Sequence, residues 1–409
     1  MRPIRRTLLS QAGLLALAAG SAAAQVRPAA AAELRLGAIY PFSGPYGLLG
    51  DESFRGLELA VEARNAAGGV QGRPLRLVKA EAADAAQAGE AVRRLGTGPE
   101  RVAALLGSCS STISFAATQA AELQGIPFFE LGAANDSITS RGFRYVFRSC
   151  PRGAEIAGLS LRVSRWLLPS LWGLPPQDMR VAILHEGSLY GDGIASAQEA
   201  GLKENVTLLG RFNHTTPARE MPALAQRLRA AEAHLLLHTG QNPEILLLFR
   251  AFKDIGWRPR MVLGAGAGYS LVDTAQALGP AFEGVMSAGF MPYAAGGRAG
   301  SEAAALAAAY RAKYGHDPRS SHSLANYAGA GIFLEALHRA GSTDKERVRA
   351  AITSMELAER EAPLGWGADF EESGQNIRSQ VVLSQWQGGR MVPVFPDTAA
   401  VAIPRQDIG

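Results

Sequence analysis

Two hydrophobic rhythms alternate along most of this chain. Residues 34–39 form a short apolar run of β type, and residues 52–67 place Phe54, Leu57 and Val61 at helical spacing before Gly68-Gly69 stops the helix. The pattern continues as a strand at 75–78, a helix at 84–96, a strand at 102–106, a helix at 111–124 and a strand at 126–129. Around residues 141–153 the rhythm pauses at Tyr145-Val146-Phe147-Arg148-Ser149-Cys150-Pro151. A second alternation follows: helix 153–168, strand 181–184, helix 191–204, strand 206–209, helix 217–231 and strand 234–237. The next helix has Asn242 as its expected cap, Pro243 in its first turn, Gly256 at its end and a buried stripe of Ile245, Leu248, Phe249 and Phe252. A strand at 261–263, helices at 301–314, 321–340 and 344–354, and strands within 378–394 around Gly388-Gly389 complete the reading. This β-α-β-α order predicts an α/β protein with two doubly wound parallel-sheet lobes of similar size. Ligands in such sheets bind beyond the carboxyl ends of the strands, so the crevice between the lobes is the expected site.

Composition narrows the class. The chain has 409 residues, 47% hydrophobic and 19% charged, enough for two or three domains with real cores and too apolar for a disordered chain. No internal apolar run reaches the ~20 residues of a membrane-spanning helix. The formal net charge is +4, but Arg2, Arg5 and Arg6 sit in a removable N-terminal segment; without them the charge is +1, and without Arg27 it is 0. No Lys/Arg cluster with interleaved aromatics remains, so no nucleic acid is expected as a partner.

Residues 1–24 run from arginine-rich to apolar (Leu8 to Ala19) to small (Ser21-Ala22-Ala23-Ala24), the pattern of a secretory signal. Arg5-Arg6-Thr7-Leu8-Leu9 resembles a twin-arginine motif. Cleavage fits after Ala24 or after Ala32, so residues 1–32 are assigned to the export signal and a short linker, and the mature chain is expected outside the cytoplasm. An exported chain with only Cys109 and Cys150 has either one bridge or two buried thiols.

Candidate chemistry concentrates where strands meet helices. Leu105-Leu106-Gly107-Ser108-Cys109-Ser110-Ser111-Thr112 ends a strand, turns on small polar residues and starts a helix. Unpaired N–H groups and the dipole at a helix N-terminus attract anions, and Ser110, Ser111 and Thr112 add hydroxyl donors. Simple helix capping by one serine is the plainer use of the same residues. Leu131-Gly132-Ala133-Ala134-Asn135-Asp136 follows the next strand and should lie beside the first loop. No HExxH, GxSxG, P-loop or CxxC pattern is present, so no catalytic set, metal site or cofactor is assigned. His234 and His238 flank a strand-like Leu235-Leu236-Leu237, which takes them off a helix face, and Gly264-Ala265-Gly266-Ala267-Gly268 lacks dinucleotide-loop spacing.

Several strings resemble one family. Pro41-Phe42-Ser43-Gly44-Pro45, Gly50, Gly56 and Asn65-Ala66-Ala67-Gly68-Gly69-Val70-Gln71-Gly72-Arg73 are similar to the opening of the leucine/isoleucine/valine-binding proteins. These are periplasmic substrate-binding proteins of ABC importers, with the type I fold. The likeness continues through Gly107 to Ser111, Gly132 to Asn135, Arg141-Gly142, Phe147-Arg148, Leu184-His185, Tyr190 to Gly193 and Tyr327-Ala328, over essentially the whole mature chain. It implies two lobes, 33–151 plus 291–377 and 152–290 plus 378–409, joined by a three-strand hinge around a closing cleft. It also implies a small-molecule ligand, ABC importer permease subunits as partners, a monomer and no enzymatic activity. A ligand sensor of the same fold feeding a receptor is the alternative. In amino-acid-binding members, the residues matching Ser111 and Ala133-Ala134 hold the ligand carboxylate, and the tyrosine matching Tyr190 closes over the ligand.

Two departures bear on the ligand. Ala134 replaces a threonine, and Gly266 stands where those members carry the acid that pairs the ligand ammonium. A buried ammonium needs a charged or strongly hydrogen-bonding partner. Gln241 and Tyr269 offer hydrogen bonds without charge, and His322 stands near a position where a tyrosine faces the ligand. The pocket is therefore expected to favour a carboxylate or amide without a free ammonium.

Overall fold

The computed structural model describes residues 32–214, 219–359 and 365–408. The expected export signal lies outside them, apart from Ala32, and so do residues 217–218 at the start of the expected helix 217–231. In chain order, the first lobe opens with β1 (Leu34–Tyr40), α1 (Gly47–Ala66), β2 (Leu75–Glu81), α2 (Ala85–Thr97), β3 (Ala104–Gly107), α3 (Ser111–Gln124), β4 (Phe128–Glu130) and β5 (Val146–Arg148). Its sheet is parallel throughout, in the order β2-β1-β3-β4-β5. Consecutive apolar residues on these strands serve opposite layers. Leu106 and Leu36 pack with Leu57 and Phe333, whereas Leu105 and Ile39 pack with Val92 and Ile113. Burial on both faces is why the runs are continuous rather than alternating.

The second lobe contains α4 (Gly153–Arg162), α5 (Leu168–Trp172), β6 (Arg180–Glu186), α6 (Leu189–Leu202), β7 (Thr207–His214), α7 (Met221–Ala230), β8 (Leu235–Thr239), α8 (Asn242–Asp254), β9 (Met261–Ala265), α9 (Val272–Leu278) and β10 (Met286–Gly289). The chain then runs through α10 (Gly297–Tyr314), α11 (Ser321–Ala340), α12 (Lys345–Thr353), β11 (Glu356–Leu357) and β12 (Ala368–Asp369) to β13 (Val382–Gln387) and β14 (Arg390–Phe395). The second sheet has the order β14-β13-β10-β9-β8-β6-β7. It is parallel from β6 to β10, but β13 and β14 are added antiparallel. The polypeptide passes between the sheets after β5, after β10 and before β13. The first and last passages lie side by side, with Arg148 N–H donating to Gly374 C=O at 2.8 Å and Asn376 N–H to Arg148 C=O at 2.9 Å.

Several local expectations shift. The helix expected at 52–67 begins at Gly47, continuing from a short turn at Gly44–Tyr46. The helix expected at 153–168 is α-helical only to Arg162, then widens over Val163–Leu167 before α5. Pro169 has no N–H to continue the regular ladder, and Leu168 N–H instead reaches back to Val163 C=O. Gln241, not Asn242, caps α8, and the Glu244 carboxylate accepts from Gln241 N–H at 3.1 Å. Asn242 is the first helical residue and donates from Nδ2 to Thr274 Oγ1 at 2.8 Å. The sequence pause at 141–153 contains β5, while α9 and β10 are short elements without a readable period. Cys109 and Cys150 are both free and buried. Among the described residues no helix is long and apolar enough to cross a membrane.

Candidate functional site

The strand-turn-helix segment at β3 and α3 builds one wall of a cavity between the two sheets. Ser110 is the N-cap of α3, yet its side chain makes no capping bond. Ser108 Oγ lies 3.1 Å from Ser110 N–H and accepts from it. The first N–H groups of a helix have no intrahelical acceptor, so those after Ser110 face the cavity end of α3. Ser111 Oγ accepts from Asn135 N–H at 3.1 Å, which leaves its own proton to donate.

A buried carboxylate holds this wall together. Glu130, at the end of β4, accepts from Ser108 N–H at 2.9 and 3.0 Å, from Gly132 N–H at 2.8 Å, from Ala133 N–H at 2.7 Å and from the Ser114 hydroxyl. Burial pushes its carboxyl up to about 7, against the pull of those donors. Arg148, also fully buried, donates to Asn135 C=O at 2.7 Å, Thr139 Oγ1 at 3.1 Å and Gln375 Oε1 at 2.6 Å. The loops that carry Ser111 and Ala134 are thus tied to each other by Glu130 and pinned from behind by Arg148.

The empty space in front of this wall is ≈ 610 Å³, open solvent at its mouth included. Of the expected site residues, Ser110, Ser111, Ala134, Tyr190, Gln241 and His322 line it together. Thr112, Ala133 and Tyr269 do not. Ala133 N–H is already bonded to Glu130, so it cannot hold a ligand carboxylate. Tyr269 is buried with its hydroxyl 2.5 Å from His238 Nδ1 and its ring stacked near Phe282, inside the second lobe. Tyr190 lines the cavity, but its hydroxyl proton goes to Ala265 C=O.

His322 enters near the N-terminus of α11, with Nδ1 2.9 Å from Ser320 Oγ and 3.4 Å from Ser270 Oγ, and its ring edge-on to Phe290. Burial lowers its pKa to about 3, so it is a neutral hydrogen-bonding group at neutral pH. Among the described residues no Asp, Glu, Lys or Arg lines the cavity. Gly266 does line it, at φ +54° and ψ −132°. That conformation is essentially glycine-only, so an acidic side chain there would carry roughly 1–3 kcal/mol of backbone strain.

Sequence reasoning missed Tyr46, Leu49, Ser270, Ser287, Phe290 and Ser384. Tyr46 follows the carboxyl end of β1, so strand-end logic could have flagged it. Ser287 and Ser384 sit within strands, where only the pairing register reveals their common face. Bonds across the cavity mouth join the two sides: Val272 N–H to Arg319 C=O at 2.8 Å, Ser270 Oγ to Ser320 Oγ at 2.8 Å, Asn135 Nδ2 to Leu189 C=O at 2.5 Å, and the pair Arg319–Asp273 at 3.5 Å. Leu49, Cys109 and Leu271 add an apolar contact.

The family model described as "Periplasmic binding protein" matches residues 33–390. A curated relative, "Leu/Ile/Val-binding protein homolog 7" of Brucella suis, is 38% identical over 394 residues, covering 95% of this chain and 98% of its own. Two solved structures share the fold at 18% identity. One is the branched-chain amino acid transporter substrate binding protein LivJ from Streptococcus pneumoniae in complex with isoleucine, with a TM-score of 0.77 over 91% of this chain and 100% of that one. The other is an ABC transporter solute binding protein from R. palustris in complex with 4-hydroxybenzoate, with a TM-score of 0.74 over 92% of this chain and 98% of that one.

Proposed function

We infer the function from one premise: this chain belongs to the family of periplasmic binding proteins. It serves as the exported solute-binding component of an ABC importer, delivering a small carboxylate-bearing ligand to the permease. The supporting observation is the cavity between the sheets, which has the N-terminus of α3 at one end and no charged side chain among its described lining residues. The lobes at 33–151 plus 291–377 and 152–290 plus 378–409 close on the ligand about the three passages between them, and the bonds from Val272 and Asp273 to Arg319 act in the closed form.

Isoleucine and 4-hydroxybenzoate, the ligands in the two similar structures, share a carboxylate. In this chain that group docks on the α3 N-terminus, on Ser111 and on Ala134 N–H. An α-ammonium meets no carboxylate in the described lining, so the preferred ligand is an acid or amide lacking one.

The test is thermal denaturation of the chain without residues 1–32, unfolded and refolded to remove carried-over ligand. One panel holds L-amino acids and the other holds carboxylates and amides without the α-ammonium. A ligand at ~100 times its Kd adds about 2.7 kcal/mol and raises the melting temperature visibly. A shift confined to the second panel supports this reading. A shift with branched L-amino acids shows that another group holds the ammonium. Ser111→Ala is expected to weaken a carboxylate ligand roughly 10–100-fold, the cost of one hydrogen bond to a charged group, while the chain still folds. Unchanged affinity by calorimetry would remove Ser111 from the site.

A further inference from the structure

Ser287 on β10 and Ser384 on β13 stand directly opposite each other in the antiparallel pair, and Ser287 also pairs with Gly264 on β9. Gly264 in turn pairs with His238 on β8. Residues in register share a face, so both serine side chains project to the face that carries His238 and Tyr269. Both line the cavity, together with Ala267 and Ser270 of the turn above them. Gly289 and Gly266 line it too, and they keep this end open. A Cβ at Gly289 would come within 3.2 Å of Gly266 Cα.

Ser384 is 1% exposed, and its hydroxyl has no hydrogen-bond partner. Ser287 is 3% exposed and makes no side-chain hydrogen bond with any described residue. A buried hydroxyl without a partner is costly, and one that lines a cavity can recover that cost by bonding to what the cavity holds. No backbone group claims either hydroxyl as a cap or turn, so the open partner is the cavity itself. The lining also includes the apolar or aromatic side chains of Leu49, Phe290 and Ile156.

We propose that Ser287 and Ser384 form a second, uncharged polar pole of the cavity that binds a hydroxyl or carboxamide on the ligand, remote from its carboxylate. The cargo class is then an organic acid with an apolar middle and a neutral hydrogen-bonding group at its far end. The proposal rests on the solute-binding reading above and adds a specificity determinant to it. A neutral pole rejects a second charge, because a carboxylate or ammonium at that end would be buried without a counter-ion. It also rejects a plain alkyl end, which would leave both hydroxyls sealed and unpaired.

The experiment titrates matched acids by calorimetry: 4-hydroxybenzoate against 4-methylbenzoate, and aliphatic ω-hydroxy and ω-carboxamide acids against their methyl-ended isosteres. The refolded wild-type chain is expected to bind the hydroxyl or amide member of at least one pair at least ~10-fold more tightly. In Ser384→Ala that preference is expected to fall to within ~3-fold, with the affinity for the methyl member held or improved. Ser287→Ala should act in the same direction. Without ligand, Ser384→Ala should melt no lower than wild type, because the hydroxyl it removes has no partner. Equal binding within every pair, or a preference that survives both substitutions, overturns the second pole and leaves the solute-binding reading in place. Failure of every acid to bind the wild-type chain overturns both.

Discussion

Glu130→Ala is expected to lower the unfolding free energy by about 3–5 kcal/mol, because it strands three buried main-chain N–H groups at once and breaks the bond to the Ser114 hydroxyl. The carboxylate is fully buried, so no water replaces it as acceptor. Denaturant unfolding with an unchanged m-value measures the loss directly. Glu130→Gln keeps the volume and one accepting oxygen but points an NH₂ group at N–H donors, and should cost about 2 kcal/mol. Both substitutions should also abolish ligand binding, since Gly132, Ala133 and Ser108 belong to the two loops that carry Ala134 and Ser110. A stable Glu130→Ala variant with intact affinity would show that those loops are held by other contacts, with Arg148 as the first candidate.

The sign of the accompanying pH effect is fixed by the raised carboxyl. A folded-state value near 7 against an ordinary 4.5 means the folded chain holds this proton more tightly than the unfolded chain. Its contribution to stability is therefore present at low pH and is lost as pH rises from 4.5 through 7.

His322 acts in the opposite direction and over a wider interval. Burial holds its folded-state pKa near 3, against 6.5 in the open chain. The neutral ring is favoured in the folded state, so its contribution is complete above pH 6.5 and is lost as pH falls toward 3. The full loss amounts to roughly 3–5 kcal/mol. His238, buried beside His214 and Tyr269, is lowered by burial and by its histidine neighbours and adds a loss of the same sign. Melting temperature is expected to fall between pH 6.5 and pH 4 in the wild-type chain and to fall less in His322→Gln. Parallel curves for the two would place the acid sensitivity at His238 instead. A ligand that binds only the folded chain should add to its stability and shift the acid transition to lower pH.

Much of this protein is local information, and that part is legible in the amino-acid order. The run from Leu105 to Thr112 ends a strand and starts a helix because apolar β-type residues give way to small polar ones and then to helical spacing. Helix α3 spans Ser111–Gln124 as expected, and α11 spans Ser321–Ala340. Alternation of strands and helices was sufficient for two α/β lobes; strand-end logic pointed to Ser110, Ser111 and Ala134 and the family resemblance to Tyr190, and all four line one cavity.

What the order of residues does not carry is which partner a group finds across the fold. Glu130 takes the Ala133 N–H from three residues away, but its bond to Ser108 N–H, which ties this loop to the β3–α3 turn, forms only when β3 and β4 pair. Tyr269 stands close to Gly266 in sequence and offers a hydroxyl, yet His238, on a neighbouring strand, claims it. Ser287 and Ser384 lie almost a hundred positions apart and become one polar pole only through the register of β10 with β13. Hydrogen bonds and burial are properties of pairs. Composition and periodicity determine which elements form and which face each buries, while the pairing of those elements decides which polar groups remain open to a ligand.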